Sequence, residues 1–363
     1  GNTLNTNHSV VRRLITDCLR HWVSEYHIDG FRFDLASVLS RNEKGEPLKN
    51  PPILWAIESD PVLAPIKIIA EAWDIGQYQL GKFVGDKWAE WNGKFRDDVR
   101  RFVKSDAASI EDFIPRLSAS RDLFSGIYRN PNRSINFVTC HDGFTMNDLV
   151  SYNEKHNFAN KENNQDGHNA NHSWNCGVEG ESDDLQIQEL RLQQIRNFFT
   201  LLLISQCTPM LLMGDEIGRT LNGNNNAYCQ DNEISWMDWS LLEKNQELFQ
   251  FVQRLIQFNL KTEFFQEAFF WNSPNGLNHT TITLHGTQLN QPDLNDNSHT
   301  IAFTLSNPEY GKLLHVMINA YWEPLAFELP ALPTGIDWYR IIVTARASPE
   351  DFRWPDEAPR VGR

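Results

Sequence analysis

Three carboxylates stand where apolar runs end: Asp34 after Phe31-Arg32-Phe33, Glu71 after Lys67-Ile68-Ile69-Ala70, and Asp142 after Ile135 to His141. In the first run, period-2 alternation puts Phe31, Phe33 and Leu35 on one face of a short strand and Arg32 with Asp34 on the other. Charges leave water at a cost unless they are paired, so Arg32 beside Asp34 is either a structural ion pair or a carboxylate kept ionised for chemistry. Three carboxylates at equivalent strand ends are more specific than one, because strand ends carry the reacting groups in a parallel barrel. Two carboxyl groups flanking one bond is what glycoside hydrolysis requires, with one oxygen attacking the anomeric carbon and a second group protonating the leaving oxygen. Glu71, among Ile69, Ala70, Ala72 and Trp73, is predicted to hold its proton, since apolar surroundings disfavour its charged form. Trp73 and Trp174 are candidates to stack on sugar rings. Trp88 and Trp91 read as core.

The elements that position these residues alternate. A helix is predicted over residues 8–26, from Val11, Leu14, Ile15, Cys18, Leu19, Trp22 and Val23 at helical spacing. Further helices are predicted near 53–59, 95–104, 110–117, 185–206 and 246–261. Strands are predicted at 28–36, 67–73, 135–143 and 208–214. Alternating strands and helices imply a parallel sheet, and continuous apolar strands suit one covered on both faces. After Phe265 the pattern changes to short strands at 280–284, 300–305, 313–320, 325–329 and 338–344, which predicts a small all-β sandwich. The expected organisation is a catalytic unit over 1–262 and a β-sandwich domain over 263–363.

Two asparagine-rich stretches interrupt this pattern, and eight asparagines fall between Asn153 and Asn175. Composition alone predicts disorder for 152–183, but Trp174 and Cys176 inside it favour an ordered functional loop. Its asparagines are expected to shape a cleft through amide hydrogen bonds. His156, His168 and His172 lack ligand spacing, so no metal site is read there. Asp215-Glu216 is read as hydrogen-bonding support rather than a catalytic pair.

The totals narrow the classes. The chain has 363 residues and a net charge of -14, which argues against nucleic acid and anionic membranes as partners. Five widely spaced cysteines without a CxxC pair read as reduced thiols in a cytoplasmic protein. No signal peptide is evident, and the longest apolar run, 198–204, is too short to span a bilayer. The Asn-x-Ser/Thr triplets at Asn132 and Asn278 are read as chance matches. There is no internal repeat and no glycine-rich phosphate loop. A start at Gly1, almost directly into a helix, leads us to expect a piece of a longer protein.

Asp-Gly-Phe-Arg-Phe-Asp (29–34), Ala-Glu-Ala-Trp-Asp (70–74) and Phe-Val-Thr-Cys-His-Asp (137–142) resemble three signature regions of the α-amylase superfamily. Residues 88–94, 173–180, 212–216 and 223–231 resemble its isoamylase and glycogen-debranching branch in particular. The resemblance covers nearly the whole chain and weakens over the last hundred residues or so. It implies the C-terminal portion, about strands 4–8, of a (β/α)8 barrel followed by the small sandwich. It also implies a retaining hydrolase, with Asp34 as nucleophile, Glu71 as general acid/base and Asp142 stabilising the transition state. Arg32 and His141 would position the nucleophile and the sugar. The implied substrate is an α-1,6 branch point in glycogen, amylopectin or a limit dextrin, with no cofactor. The family's first signature region, which supplies an Asp and a His, has no counterpart in this sequence. Two alternatives stay open: an enzyme of the same class with a changed bond, as in an α-1,4 hydrolase or a branching transferase, and a non-catalytic glucan-binding subunit.

Overall fold

The computed structural model describes residues 3–124, 130–273 and 279–361, so Asn278 lies outside the described residues. Helix α1 (Ser9–Tyr26) starts at His8, whose side chain accepts from Val10 N, and ends at His27 in the left-handed region. Its apolar stripe is only partly covered. Leu19 is buried and Ile15 and Val23 pack beside it, while Leu14 and Trp22 face outward. Strand β1 (Gly30–Phe33) follows, then helix α2 (Pro52–Glu58), strand β2 (Lys67–Ala70) and a two-residue hairpin of β3 (Trp73–Asp74) with β4 (Gln77–Tyr78).

Strand β5 (Ala89–Asn92) leads into α3 (Gly93–Val103), with Asn92 accepting from Phe95 N as the cap. Helix α4 (Ile110–Leu117), strand β6 (Ser134–Asn136) and the short helix α5 (Met146–Leu149) precede the long loop. Helix α6 (Leu185–Ile204), strand β7 (Thr208–Pro209), α7 (Leu241–Lys244) and α8 (Gln246–Lys261) complete this part. Then come β8 (Thr281–His285), β9 (Thr300–Asn307) and β10 (Lys312–Asn319).

β1, β2, β5, β6 and β7 form one five-stranded parallel sheet in chain order, each new strand adding to the same edge. Strand β5 is absent from the sequence-based reading, where Trp88 and Trp91 stand in a segment without an assigned strand. The other parallel strands are shorter than expected; β6 stops at Asn136 and β7 at Pro209. The chain beyond them is extended loop, held by side chains.

The predicted sandwich is a single antiparallel sheet, in the order β10–β9–β8. Residues 325–329 and 338–344 form no strand, and the second makes only isolated bridges, Tyr339 to Arg360 and Ile342 to Phe352. Pro324, Pro330 and Pro333 punctuate this region, and a residue without an N–H cannot donate to a ladder.

Strand β9 is central and almost wholly buried. Its Ile301, Phe303 and Leu305 join Phe198, Phe199, Phe251, Leu255 and Phe352 in the main core, together with Phe102 and Phe113, whose rings stack at 4.1 Å. A buried ion pair, Arg196 Nε to Asp351 Oδ2 at 3.2 Å, ties α6 to the C-terminal segment within this core. No helix among the described residues is long and apolar enough to cross a membrane. Replacing Phe303 with alanine opens a cavity at the junction of helices and sheet. It is expected to lower unfolding free energy by about 3–5 kcal/mol, read from urea denaturation.

Candidate active site

Pairing register builds the site. Arg32 lies opposite Ile69, and Phe33 opposite Ala70. Alternation therefore turns Arg32, Ile69 and, one step past the strand, Glu71 to one face of the sheet. On that face Ile69, Ala89 and Met210 pack against Trp91, Ile135, Phe137 and Cys140. Phe31, Phe33, Ile68 and Ala70 turn the other way, into a second core with Trp88.

Arg32 joins the carboxylates. Its Nη1 donates to Asp34 Oδ1 at 2.8 Å, and its Nη2 pairs with Glu71 Oε1 at 3.0 Å. Its guanidinium lies over the Trp91 ring, 4.3 Å from the centroid. Glu71 is 5 % exposed and Asp34 73 %, so one carboxyl is sheltered and the other open to solvent. Leu35, between them in space, adopts φ 40°, a conformation costly for a branched side chain. That turn lets Leu35 N donate to Glu71 Oε2 at 2.7 Å.

Burial pushes the Glu71 carboxyl above its ordinary value. The Leu35 hydrogen bond and Arg32 oppose the shift, while Asp34 and Asp142 add to it. Asp34 and Asp142 thus both lie near enough to Glu71 for their charges to matter. Asp142 and its neighbour His141 are half exposed, with His141 Nε2 3.6 Å from Asp142 Oδ2 and the imidazole edge-on to Trp91 at 5.7 Å.

Asp142 lies beyond β6, in a loop fixed from behind. Buried Arg100 donates through Nε and Nη2 to Val138 O, at 3.0 and 2.6 Å, and through Nη1 to Asn171 O. Thr139 Oγ1 and Met146 N donate to the two oxygens of Asp215, which is itself buried. Gly143 N donates to Asn225 O at 3.0 Å.

That last bond ties the Asp142 loop to the asparagine network. Asn157 and Asn225 exchange two hydrogen bonds, Nδ2 to Oδ1 at 2.8 Å and N to Oδ1 at 2.9 Å. Asn225 Nδ2 donates to Asn171 Oδ1, and Asn224 Nδ2 and Gln230 Nε2 both donate to Asn160 Oδ1. The stretch that composition marked as disordered is therefore knitted by buried amides, and its amides brace the Asp142 loop. Glu179 accepts from Asn153 N, Glu154 N, Asn175 Nδ2 and His156 Nε2, closing the second half of this loop.

The structure brings Arg32, Asp34, Glu71, His141 and Asp142 together. Trp73 is near them, half-buried on the β3–β4 hairpin with its ring stacked on Tyr78 at 5.9 Å. Trp174 lies half-buried elsewhere. Its ring packs against the main core beside Val103, Leu149 and Phe198, and its backbone N–H donates to Leu149 O. Its own loop folds the side chain inward despite a polar sequence neighbourhood. Sequence reasoning missed Trp91 as the ring beneath Arg32, and Arg100 as the brace of Val138. Among the described residues no group of His, Cys, Asp and Glu is assembled to hold a metal ion.

Burial pushes the Asp215 carboxyl up to about 7. In unfolded chain it titrates near 4, so its proton stabilises the fold fully below about pH 4, and stability falls as pH rises towards 7. Asp215→Ala is expected to flatten that window in thermal unfolding. It also orphans the Thr139 hydroxyl and Met146 N–H, costing about 1–3 kcal/mol.

The family profile described as "Isoamylase 1-3, C-terminal" matches residues 283–362. "Isoamylase 3, chloroplastic" of Oryza sativa subsp. japonica is 46% identical over 365 residues, covering 100% of this chain and 45% of its own. The "Glycogen operon protein GlgX homolog" of Mycobacterium tuberculosis is 54% identical over 256 residues, 70% of this chain and 35% of its own. The solved pullulanase from Bacillus acidopullulyticus shares the fold, with a TM-score of 0.68 over 98% of this chain and 39% of that one at 20% identity. The chain spans less than half the length of these relatives. By these matches the chain is similar to isoamylases and to a GlgX homologue over part of their lengths, and it shares the fold of a pullulanase.

Proposed function

We propose that the protein carrying this chain hydrolyses α-1,6-glucosidic branch linkages in glycogen, amylopectin or their limit dextrins, with retention at the anomeric carbon. The observation that carries this is the single guanidinium of Arg32 paired with both Asp34 and Glu71. Two carboxyl groups on one guanidinium stand a few ångströms apart, the short spacing of retaining enzymes, where one of them attacks directly.

In this reading Asp34 attacks the anomeric carbon, and the bond to the leaving oxygen breaks as Glu71 gives that oxygen its proton. A water then attacks the same carbon, losing a proton to Glu71 and releasing Asp34. The environments support the division of labour: burial favours a protonated Glu71, and Asp34 is open to an incoming sugar. Asp142 and His141 grip hydroxyls of the sugar being cleaved, and Trp73 offers a ring at the edge of the site.

The proposal extends to architecture. The five parallel strands in chain order are read as strands 4–8 of a (β/α)8 barrel within residues 1–262, with 263–363 as the accompanying sheet domain. An order that never reverses supports this, since a doubly wound sheet changes direction at a switch point. The five unpaired cysteines fit a reducing compartment such as the cytoplasm.

Asp34→Asn in the natural-length protein is expected to lower release of reducing ends from glycogen by at least ~10³-fold, because a covalent pathway is lost. A loss under about tenfold removes Asp34 from its role. Comparing amylopectin with linear amylose separates the bond types: release from amylose would favour an α-1,4 enzyme, and binding without any turnover a non-catalytic subunit.

A further inference from the structure

Strand β10 ends in an aromatic step that neither a core nor the carboxylate site uses. Beyond Asn319 the chain turns through 320–323, and one amide clamps that turn. Asn319 Oδ1 accepts from Tyr321 N at 3.0 Å, and Asn319 Nδ2 donates to Glu323 O at 2.9 Å. The turn presents two rings, Tyr321 and Trp322, with centroids 4.0 Å apart. His299, just before β9, joins them at 6.3 Å from Tyr321 and 5.8 Å from Trp322.

His299 is anchored in turn. Its carbonyl accepts from Ala320 N at 2.9 Å, and its Nδ1 shares a hydrogen bond with Ser105 Oγ at 2.9 Å. Trp322 is nevertheless 72 % exposed. What sets it apart is its company: an exposed ring beside two others makes a compact apolar step that a ligand can cover.

The surroundings narrow the ligand. The rings are flanked by polar residues, Asn319, Glu323 and Ser105, so the patch is narrow rather than a broad apolar interface. The net charge of -14 disfavours an anion. A neutral ligand with a flat C–H face and a hydroxyl rim matches an aromatic step bordered by hydrogen-bonding groups. Glucose units in an α-glucan have that form.

We propose that Tyr321, Trp322 and His299 form a second docking platform for α-glucan, on the three-stranded sheet and separate from the parallel sheet that carries Asp34 and Glu71. It holds an outer chain of the polymer while a branch point is engaged elsewhere. The identity of the ligand rests on the proposed function; the existence of the platform does not.

Affinity electrophoresis of the natural-length protein through gels containing glycogen tests this. Trp322→Ala is expected to bind glycogen roughly tenfold more weakly, and Trp322→Phe to recover most of the loss. Turnover of a short branched dextrin, too small to reach both places, is expected to stay within about twofold of the unmutated protein in either variant. Equal retardation of Trp322→Ala and the unmutated protein would overturn the platform, as would a lack of retardation in both. Retardation decides the platform whether or not branch points are cleaved, so its failure is distinct from failure of the hydrolase reading.

Discussion

One guanidinium shared between two carboxylates is the constraint on which the site depends. Arg32 reaches Asp34 just past the end of its own strand and Glu71 just past the end of the neighbouring one, with the Trp91 ring of a third strand beneath it. The arrangement holds only in the register that sets Arg32 opposite Ile69. A slip of one residue would turn Arg32 to the other face and the phenylalanines inward. The parallel sheet is thus the device that fixes two acidic groups on one cation. The opposing effects on Glu71, burial against Arg32 and the Leu35 N–H, leave its carboxyl shifted upward, the direction that suits the proton-donor role proposed for it.

The third carboxylate is held differently. Asp142 sits on a loop, and loops position reacting groups only when something rigid backs them. Here the backing is polar and buried: Arg100 on Val138, Asp215 on Thr139 and Met146, and the amides around Asn225 on Gly143. Such networks rigidify when their members find partners and are costly when they do not. The asparagine-rich loops therefore serve as a scaffold, and their ordering comes from reciprocal amide bonds rather than apolar burial.

Much of this was legible in sequence. Period-2 alternation around Arg32 and Asp34 was enough to put them on one face, and helical spacing located α4 and α8 to the residue. What was not legible depends on tertiary context. Strand β5 is four residues of mixed character, Ala89-Glu90-Trp91-Asn92, whose pairing comes from its neighbours. Trp174 stands among asparagines yet turns into the core, because loop geometry rather than local polarity aims it. Residues 325–329 alternate like a strand but lie between Pro324 and Pro330, and 338–344 makes only isolated bridges.

The most direct test of the division between Asp34 and Glu71 is capture of the covalent intermediate. The natural-length protein, treated with a fluorinated α-maltosyl fluoride and digested, is expected to carry the maltosyl label on the peptide containing Asp34, found by mass spectrometry. A label on Glu71 or Asp142, or turnover of the fluoride with inverted product and no label, would contradict the account.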